Sequence, residues 1–270
     1  MNTSTLAFIG GGNMAGALIG GLIQAGSATS SILVIEPQAA QRESLRQRFG
    51  VRVYEGAVAE LGEAEAVVWA VKPQSFAEAA VACAPHFGAA LHISVMAGVR
   101  CAAIARRAGA RRIVRAMPNT PALIGQGIAG LYASPQATAD DRVRAERLLN
   151  PTGQWLWVEQ EAQLDAVTAL SGSGPAYVFY LLEAMIDAGT RMGLPAESAK
   201  RLALGTFSGA AALAAQSPLS PAQLREQVTS KGGTTAAALD VLAEHGVAQA
   251  FGAALQAAAN RAAELGEQLN

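Results

Sequence analysis

Five short apolar runs, spaced by stretches of helical character, constrain this chain more than any other feature. They are Leu6-Ala7-Phe8-Ile9, Ile32-Leu33-Val34-Ile35, Ala66-Val67-Val68-Trp69-Ala70-Val71, Leu91-His92-Ile93-Ser94-Val95 and Ile113-Val114-Arg115-Ala116. Runs that are apolar throughout are strands covered on both faces, and in alternation with helices they build a parallel sheet. Ligands of such sheets gather beyond the carboxyl ends of the strands. The small and polar punctuation falls there: Gly10–Asn13, Glu36-Pro37, Lys72-Pro73, Ala97-Gly98 and Pro118-Asn119-Thr120-Pro121.

After about residue 161 the strand pattern stops. Leu164–Met192, Ala196–Ala215, Ala222–Thr229, Thr234–Glu244 and Val247–Leu269 carry helical spacing, and in the last a single apolar stripe recurs every three or four residues. The expected architecture is therefore α/β, an N-terminal Rossmann-type domain over residues 1–161 followed by an all-α domain over 162–270. The helical half is rich in alanine, so its helices approach closely but bury little area each. Packing against a second copy would stabilise it, and a homodimer through the C-terminal helices is expected.

Composition closes off other classes. With 51% hydrophobic and 15% charged residues the chain is globular, and a formal net charge of −1 leaves no basic footprint for nucleic acid. Cys83 and Cys101 match no redox or ligand spacing, and His86, His92 and His245 form no metal pattern. The uncharged run Leu6–Ile23, with Gly12, Gly16 and Gly20 at four-residue intervals, reaches transmembrane length and imitates a packed membrane helix. Four consecutive residues Gly10-Gly11-Gly12-Asn13 are a poor helix interior, however, and no Lys or Arg precedes Arg42. The chain reads as soluble and cytoplasmic.

The segment Phe8-Ile9-Gly10-Gly11-Gly12-Asn13-Met14-Ala15 fits G-x-G-x-x-A between a strand and a helix. Gly10 permits the tight turn and Gly12 admits a pyrophosphate to the backbone amides around Asn13 and Met14. Ala15 keeps the helix close to the strand. The alternative is a glycine turn that only seats the helix on the strand. Glu36 ends the second strand, twenty-four residues past Gly12, where an acid accepts the adenosine ribose hydroxyls of NAD. Arg42 follows, either as a solvated helix charge or as an offset to the repulsion a 2′-phosphate would meet at Glu36. NADH is favoured and NADPH stays open.

A second glycine loop lies in the helical half. "QVTSKGGTTAAALDVL" (227–242) sets two glycines and four hydroxyls beside a helix start, an arrangement suited to an anion. Together with "SGSGPAY" (171–177), "VKP" (71–73) and "MPNTP" (117–121), it resembles the pyrroline-5-carboxylate reductase family over nearly the whole chain. The resemblance implies reduction of the cyclic imine 1-pyrroline-5-carboxylate to L-proline by NADPH or NADH, the last step of proline biosynthesis. It also implies a helical dimerisation domain and often a ring of dimers. Ser230, Gly233, Thr234 and Thr235 would hold the substrate carboxylate, with Thr235 also near the imine nitrogen as the catalytic candidate. Val71, Lys72, Pro73 and Asn119, at strand ends, are expected near the cofactor. The alternative for the hydroxyls is helix capping, and for Lys72 and Asn119 plain loop structure. Lys231 is assigned no role.

Ser173 imitates a nucleophile elbow but lacks the preceding glycine and any supporting His and Asp. With Gly174 and Pro175 it is expected to break the long helix where substrate and nicotinamide meet, or to kink it without touching a ligand. Two rivals remain. A β-hydroxyacid dehydrogenase would need a lysine on the first long helix of the second domain, and none occurs between Leu164 and Met192. A non-catalytic dinucleotide sensor would dimerise through the same helices.

Overall fold

The computed structural model describes residues 5–269. The N-terminal part holds β1 (Thr5–Ile9), α1 (Asn13–Gln24), β2 (Ile32–Ile35), α2 (Ala39–Phe49), β3 (Arg52–Tyr54), β4 (Ala64–Trp69), α3 (Phe76–Cys83), β5 (Leu91–Ser94), α4 (Cys101–Ala108), β6 (Arg112–Met117), β7 (Gly127–Ala133), α5 (Ala139–Leu149) and β8 (Gly153–Trp157). The helical part follows as α6 (Gln163–Val167), a π-turn over Thr168–Gly172, α7 (Gly174–Arg191), α8 (Ala196–Gln216), α9 (Pro221–Gln227), α10 (Thr234–Glu244) and α11 (Val247–Leu269).

The eight strands form one sheet in the order β3-β2-β1-β4-β5-β6-β7-β8. Its first six strands have the doubly wound order, with the switch between β1 and β4. Every pairing is parallel except β6 with β7, so the sheet is mixed rather than wholly parallel. Side chains alternate across it. Phe8, Ile32 and Val34 point into one core with α1, α2 and α5, while Ala7, Ile9, Leu33 and Ile35 point into the other with α3 and α4. The glycine spacing that imitates a membrane helix has a local cause. A Cβ at Gly20 would lie 3.2 Å from the Phe49 ring and one at Gly16 3.9 Å from it, so α2 seats on that stripe. Among the described residues no helix is long and apolar enough to cross a membrane.

By compactness the chain divides into two units at Gly174/Pro175. The first unit runs to Gly174 and takes in the chain again from Ala258, and the second is Pro175–Ala257. The first has the two cores described above. In the second, Leu182, Gly189, Ala199 and Ala203 are the only buried residues. Phe179, Tyr180, Leu202 and Leu213 each leave more than half of their surface exposed. Much of the apolar surface of this unit is therefore open to solvent.

One buried base makes the first unit pH-sensitive. Trp69 Nε1 donates to His92 Nδ1 at 2.9 Å, inside a cluster with Phe76 and Phe87. Burial, reinforced by the Arg112 charge, lowers the His92 pKa from 6.5 to about 4. The folded state therefore refuses a proton that the unfolded chain accepts. Stability is complete above the unfolded value near 6.5 and falls as the pH drops from there towards 4. The loss from this group alone amounts to roughly 3 kcal/mol. Denaturant unfolding of the wild type and His92→Gln across that window checks it. The wild type is expected to lose stability more steeply, and parallel curves would contradict the assignment.

Candidate functional site

The ends of β1, β2, β4 and β6 bring the first group of candidate residues to one edge of the sheet. Gly10 sits at φ +96°, a conformation that L side chains rarely adopt. Its N–H donates to the Ile35 carbonyl at 2.9 Å, and a Cβ there would lie 2.8 Å from the backbone of Ala70 and Val71. Gly10 and Val71 are thus brought together at the switch point. Gly12 is different. Its φ is −68°, and an added Cβ would meet nothing within 4 Å. Neither strain nor packing requires glycine at this position, and the space in front of it is open. α1 opens immediately after it at Asn13, with no side-chain cap and no acidic residue in its first turn. The first-turn N–H groups have no intrahelical acceptor, and the helix's positive end is bare. Asn13 is exposed, Met14 half-buried and Ala15 fully buried, as close seating of the helix requires.

Glu36 has a task beyond the ribose contact expected of it. It is 7% exposed, and its two oxygens accept from the N–H groups of Gly11 and Gln38, each at 2.9 Å. The Gly11 carbonyl accepts from Gln41 Nε2 at 2.5 Å. Glu36 and Gln41 therefore clamp the middle of the glycine loop from both sides. Gly11 and Gln41 carried no signal of this in the sequence, because the contacts span 25 and 30 residues. Arg42 is not a solvated helix charge. It donates to the carbonyls of Glu36 (3.0 Å) and Pro37 (2.6 Å) and pairs with Glu55 at 3.0 Å.

At the other strand ends, Lys72 is exposed and Pro73 opens a short 3-10 turn, Pro73–Ser75. Asn119 organises its own loop: its Oδ1 accepts from the Ile128 N–H at 3.0 Å and its carbonyl from the Ala122 N–H at 3.1 Å. The amide NH2 of Asn119 has no hydrogen-bond partner among the described residues. Ser173 belongs to this unit. Its N–H donates to the Thr168 carbonyl at 2.8 Å, five residues back. The backbone widens into a π-turn over Thr168–Gly172 and bends at Ser173 before α7 starts at Gly174, and a Cβ at Gly172 would press on the Met117 methyl at 2.6 Å. This contact sets the turn beside the carboxyl end of β6. Such single π-turns are frequent at functional sites. Burial pushes the thiols of Cys83 and Cys101 up to about 11 and about 12, so both are inert core groups.

The second group gathers in the other unit. Gly233 N–H donates to the Ser230 carbonyl at 3.0 Å, closing a turn across Lys231 and Gly232. Gly232 has φ +73° and, among the described residues, no non-glycine residue has a positive φ, the pattern of a type II turn. One expectation needs correction: the Gly233 N–H is consumed by this turn and is not free for an anion. The donors begin at Thr234, where α10 starts with Gly233 as its N-cap, no side-chain cap bond and no acidic residue in the first turn. The hydroxyls of Ser230, Thr234 and Thr235 have no hydrogen-bond partner among the described residues. Other hydroxyls of the helical half, on Thr190, Ser208 and Thr229, bond the carbonyl four residues back. A helix's first turn offers no such carbonyl. The hydroxyls therefore do not cap α10 and, with its first N–H groups, form an uncommitted set of donors. Lys231 is exposed in the same turn. One turn further on, α7, α9, α10 and α11 enclose an apolar groove of about 870 Å³, bordered by Leu181, Leu239, Val247 and Phe251, that sequence spacing did not reveal. Among the described residues no group of three or more His, Cys, Asp or Glu is disposed to hold a metal.

Comparison with known proteins agrees with both halves. The family model for pyrroline-5-carboxylate reductase dimerisation matches residues 161–265, and that for NADP oxidoreductase, coenzyme F420-dependent, matches residues 5–98. A pyrroline-5-carboxylate reductase of Pseudomonas aeruginosa is 46% identical, over 100% of this chain and 99% of the relative. The structure of a pyrroline-5-carboxylate reductase from Coxiella burnetii superposes with a TM-score of 0.88 at 38% identity, covering 98% of this chain and 99% of that one. The Plasmodium falciparum pyrroline carboxylate reductase, solved with NADP bound, gives 0.88 at 27% identity over 98% and 99%. A bare helix start behind an open Gly12, an uncommitted hydroxyl loop on α10 and end-to-end similarity converge: the chain belongs to the pyrroline-5-carboxylate reductase family.

Proposed function

We propose that this protein reduces 1-pyrroline-5-carboxylate to L-proline with NADH or NADPH, in the cytoplasm. The observation that carries the reading is the uncommitted donor set of Ser230, Thr234, Thr235 and the first N–H groups of α10, in a chain whose other unit has a bare, glycine-fronted helix start. The substrate is small and carries one carboxylate. Charge-assisted hydrogen bonds contribute roughly 1.5–3 kcal/mol each, so two or three suffice to hold it after the cost of immobilisation.

The dinucleotide fits the first unit: the open space at Gly12 and the uncapped start of α1 suit a pyrophosphate, and Glu36 and Asn119 supply polar groups at neighbouring strand ends. When bound, the reduced nicotinamide supplies the hydride that the imine carbon takes up. The residues of this chain orient. Ser230 and Thr234 fix the carboxylate, and Thr235 aligns the imine and passes the nitrogen a proton relayed from water, since a threonine hydroxyl is a poor acid alone. The magnitudes agree: well-oriented reactants gain effective molarities of about 10⁵–10⁸ M, against about 10²–10⁴-fold for a general acid.

The sparse burial of the second unit supports a homodimer through α7–α11, with the apolar groove filled by the partner copy, and the family resemblance extends this to rings of such dimers. Light scattering at micromolar concentration tests this, and a monomer would remove it. For the reaction, oxidation of NAD(P)H is expected to require the imine and to slow by about 100-fold or more with an unsubstituted cyclic imine lacking the carboxylate. Cofactor binding without imine-dependent oxidation would leave the sensor reading standing instead.

A further inference from the structure

We infer that this chain selects NADH over NADPH, and that the selection rests on a fixed carboxylate, Glu36, together with an arginine, Arg42, that is withheld from the ribose. The inference builds on the dinucleotide reading of the first unit. In doubly wound folds the carboxylate ending the second strand faces the adenosine ribose, and a 2′-phosphate is accommodated instead by a nearby arginine. Here the carboxylate cannot swing away. Both of its oxygens are anchored at 2.9 Å by backbone N–H groups, and the side chain is 7% exposed. A carboxylate has about four acceptor sites, so the two bonds leave others for ribose hydroxyls. Its donors are neutral, and among the described residues no cation pairs with it. A 2′-phosphate would bring roughly 1.5–2 further negative charges against it.

Arg42 does not compensate. One guanidinium nitrogen is tied to the carbonyls of Glu36 and Pro37 and the other to Glu55, leaving the side chain 14% exposed. These bonds commit its guanidinium to the chain's own acceptors. Gln41, the neighbouring donor, is committed to the Gly11 carbonyl. The loop after β2 therefore presents acceptors to hydroxyls and no free guanidinium to a phosphate.

Dissociation constants for NADH and NADPH, read from nicotinamide fluorescence without any imine, test the inference. NADH is expected to bind at least about tenfold tighter than NADPH. Glu36→Gln loosens the glycine loop and weakens both, but is expected to bring the two constants within about threefold of each other. Arg42→Ala is expected to leave their ratio unchanged. The inference is overturned if the wild type binds NADPH as tightly as NADH, if Glu36→Gln keeps the ratio, or if Arg42→Ala weakens NADPH selectively. Because no substrate is present, a failure here is distinguishable from a failure to reduce the imine.

Discussion

Gly12→Val is expected to leave the protein folded and to weaken dinucleotide binding by about 100-fold or more. The reasoning depends on what glycine is not needed for. At φ −68° valine is sterically ordinary, and its Cβ would enter open space. The remaining penalty is the poor standing of valine as a helix N-cap, about 1 kcal/mol, or about 2–4 °C in Tm for a protein of this size. The branched side chain would, however, stand where the pyrophosphate must approach the first-turn amides. Gly10→Ala is the informative contrast. At φ +96° and 2.8 Å from the β4 exit, its methyl collides with backbone that has no room to yield. That change is expected to cost roughly 2–6 kcal/mol of stability, so its binding defect would follow from unfolding. Thermal melts beside fluorescence titrations separate the two. Undiminished NADH binding by folded Gly12→Val would remove the phosphate role of the loop.

Thr235→Ala is expected to lower kcat/KM for the imine by about 10- to 100-fold, the worth of one hydrogen bond to a charged or charging group. NADH binding should stay within about twofold of the wild type, because the loop belongs to a different unit from the dinucleotide site. Thr235→Ser should restore most of the activity, since it returns the hydroxyl. Stability should change little: the hydroxyl has no partner among the described residues and leaves no orphan behind. Unchanged turnover at saturating imine would sink the assignment, and equal losses in the alanine and serine variants would point to packing by the methyl group.

The strands legible in the sequence are those buried on both faces, where nothing interrupts the apolar run. Three others were not legible, each for a physical reason. β3 has three residues and only Val53 is buried. β7 reads Gly-Ile-Ala-Gly-Leu-Tyr-Ala, and glycines weaken any strand signal. Those glycines are needed for contact, since a Cβ at Gly127 would press on Ala122 and one at Gly130 on Val167. β8 lies at the sheet edge and never reaches full burial. Helix positions in the second half were legible to within about two residues, because the 3.6-residue period survives without knowledge of the partner face. At the site, residue types were legible and their commitments were not. Nothing local announces that Glu36 turns back to Gly11, that Arg42 is tied to carbonyls, or that the Gly233 N–H closes its own turn. Those outcomes depend on where the chain brings distant segments.

A compact unit, Pro175–Ala257, that hides only four residues from water has a consequence for how this enzyme lives in dilute solution. The first unit owns its cores, whereas the hydroxyl loop rides on a sparsely buried scaffold that the proposed homodimer would make firm. Mass action would then reach the chemistry: proline formation is expected to fade below a threshold protein concentration while NADH is still held.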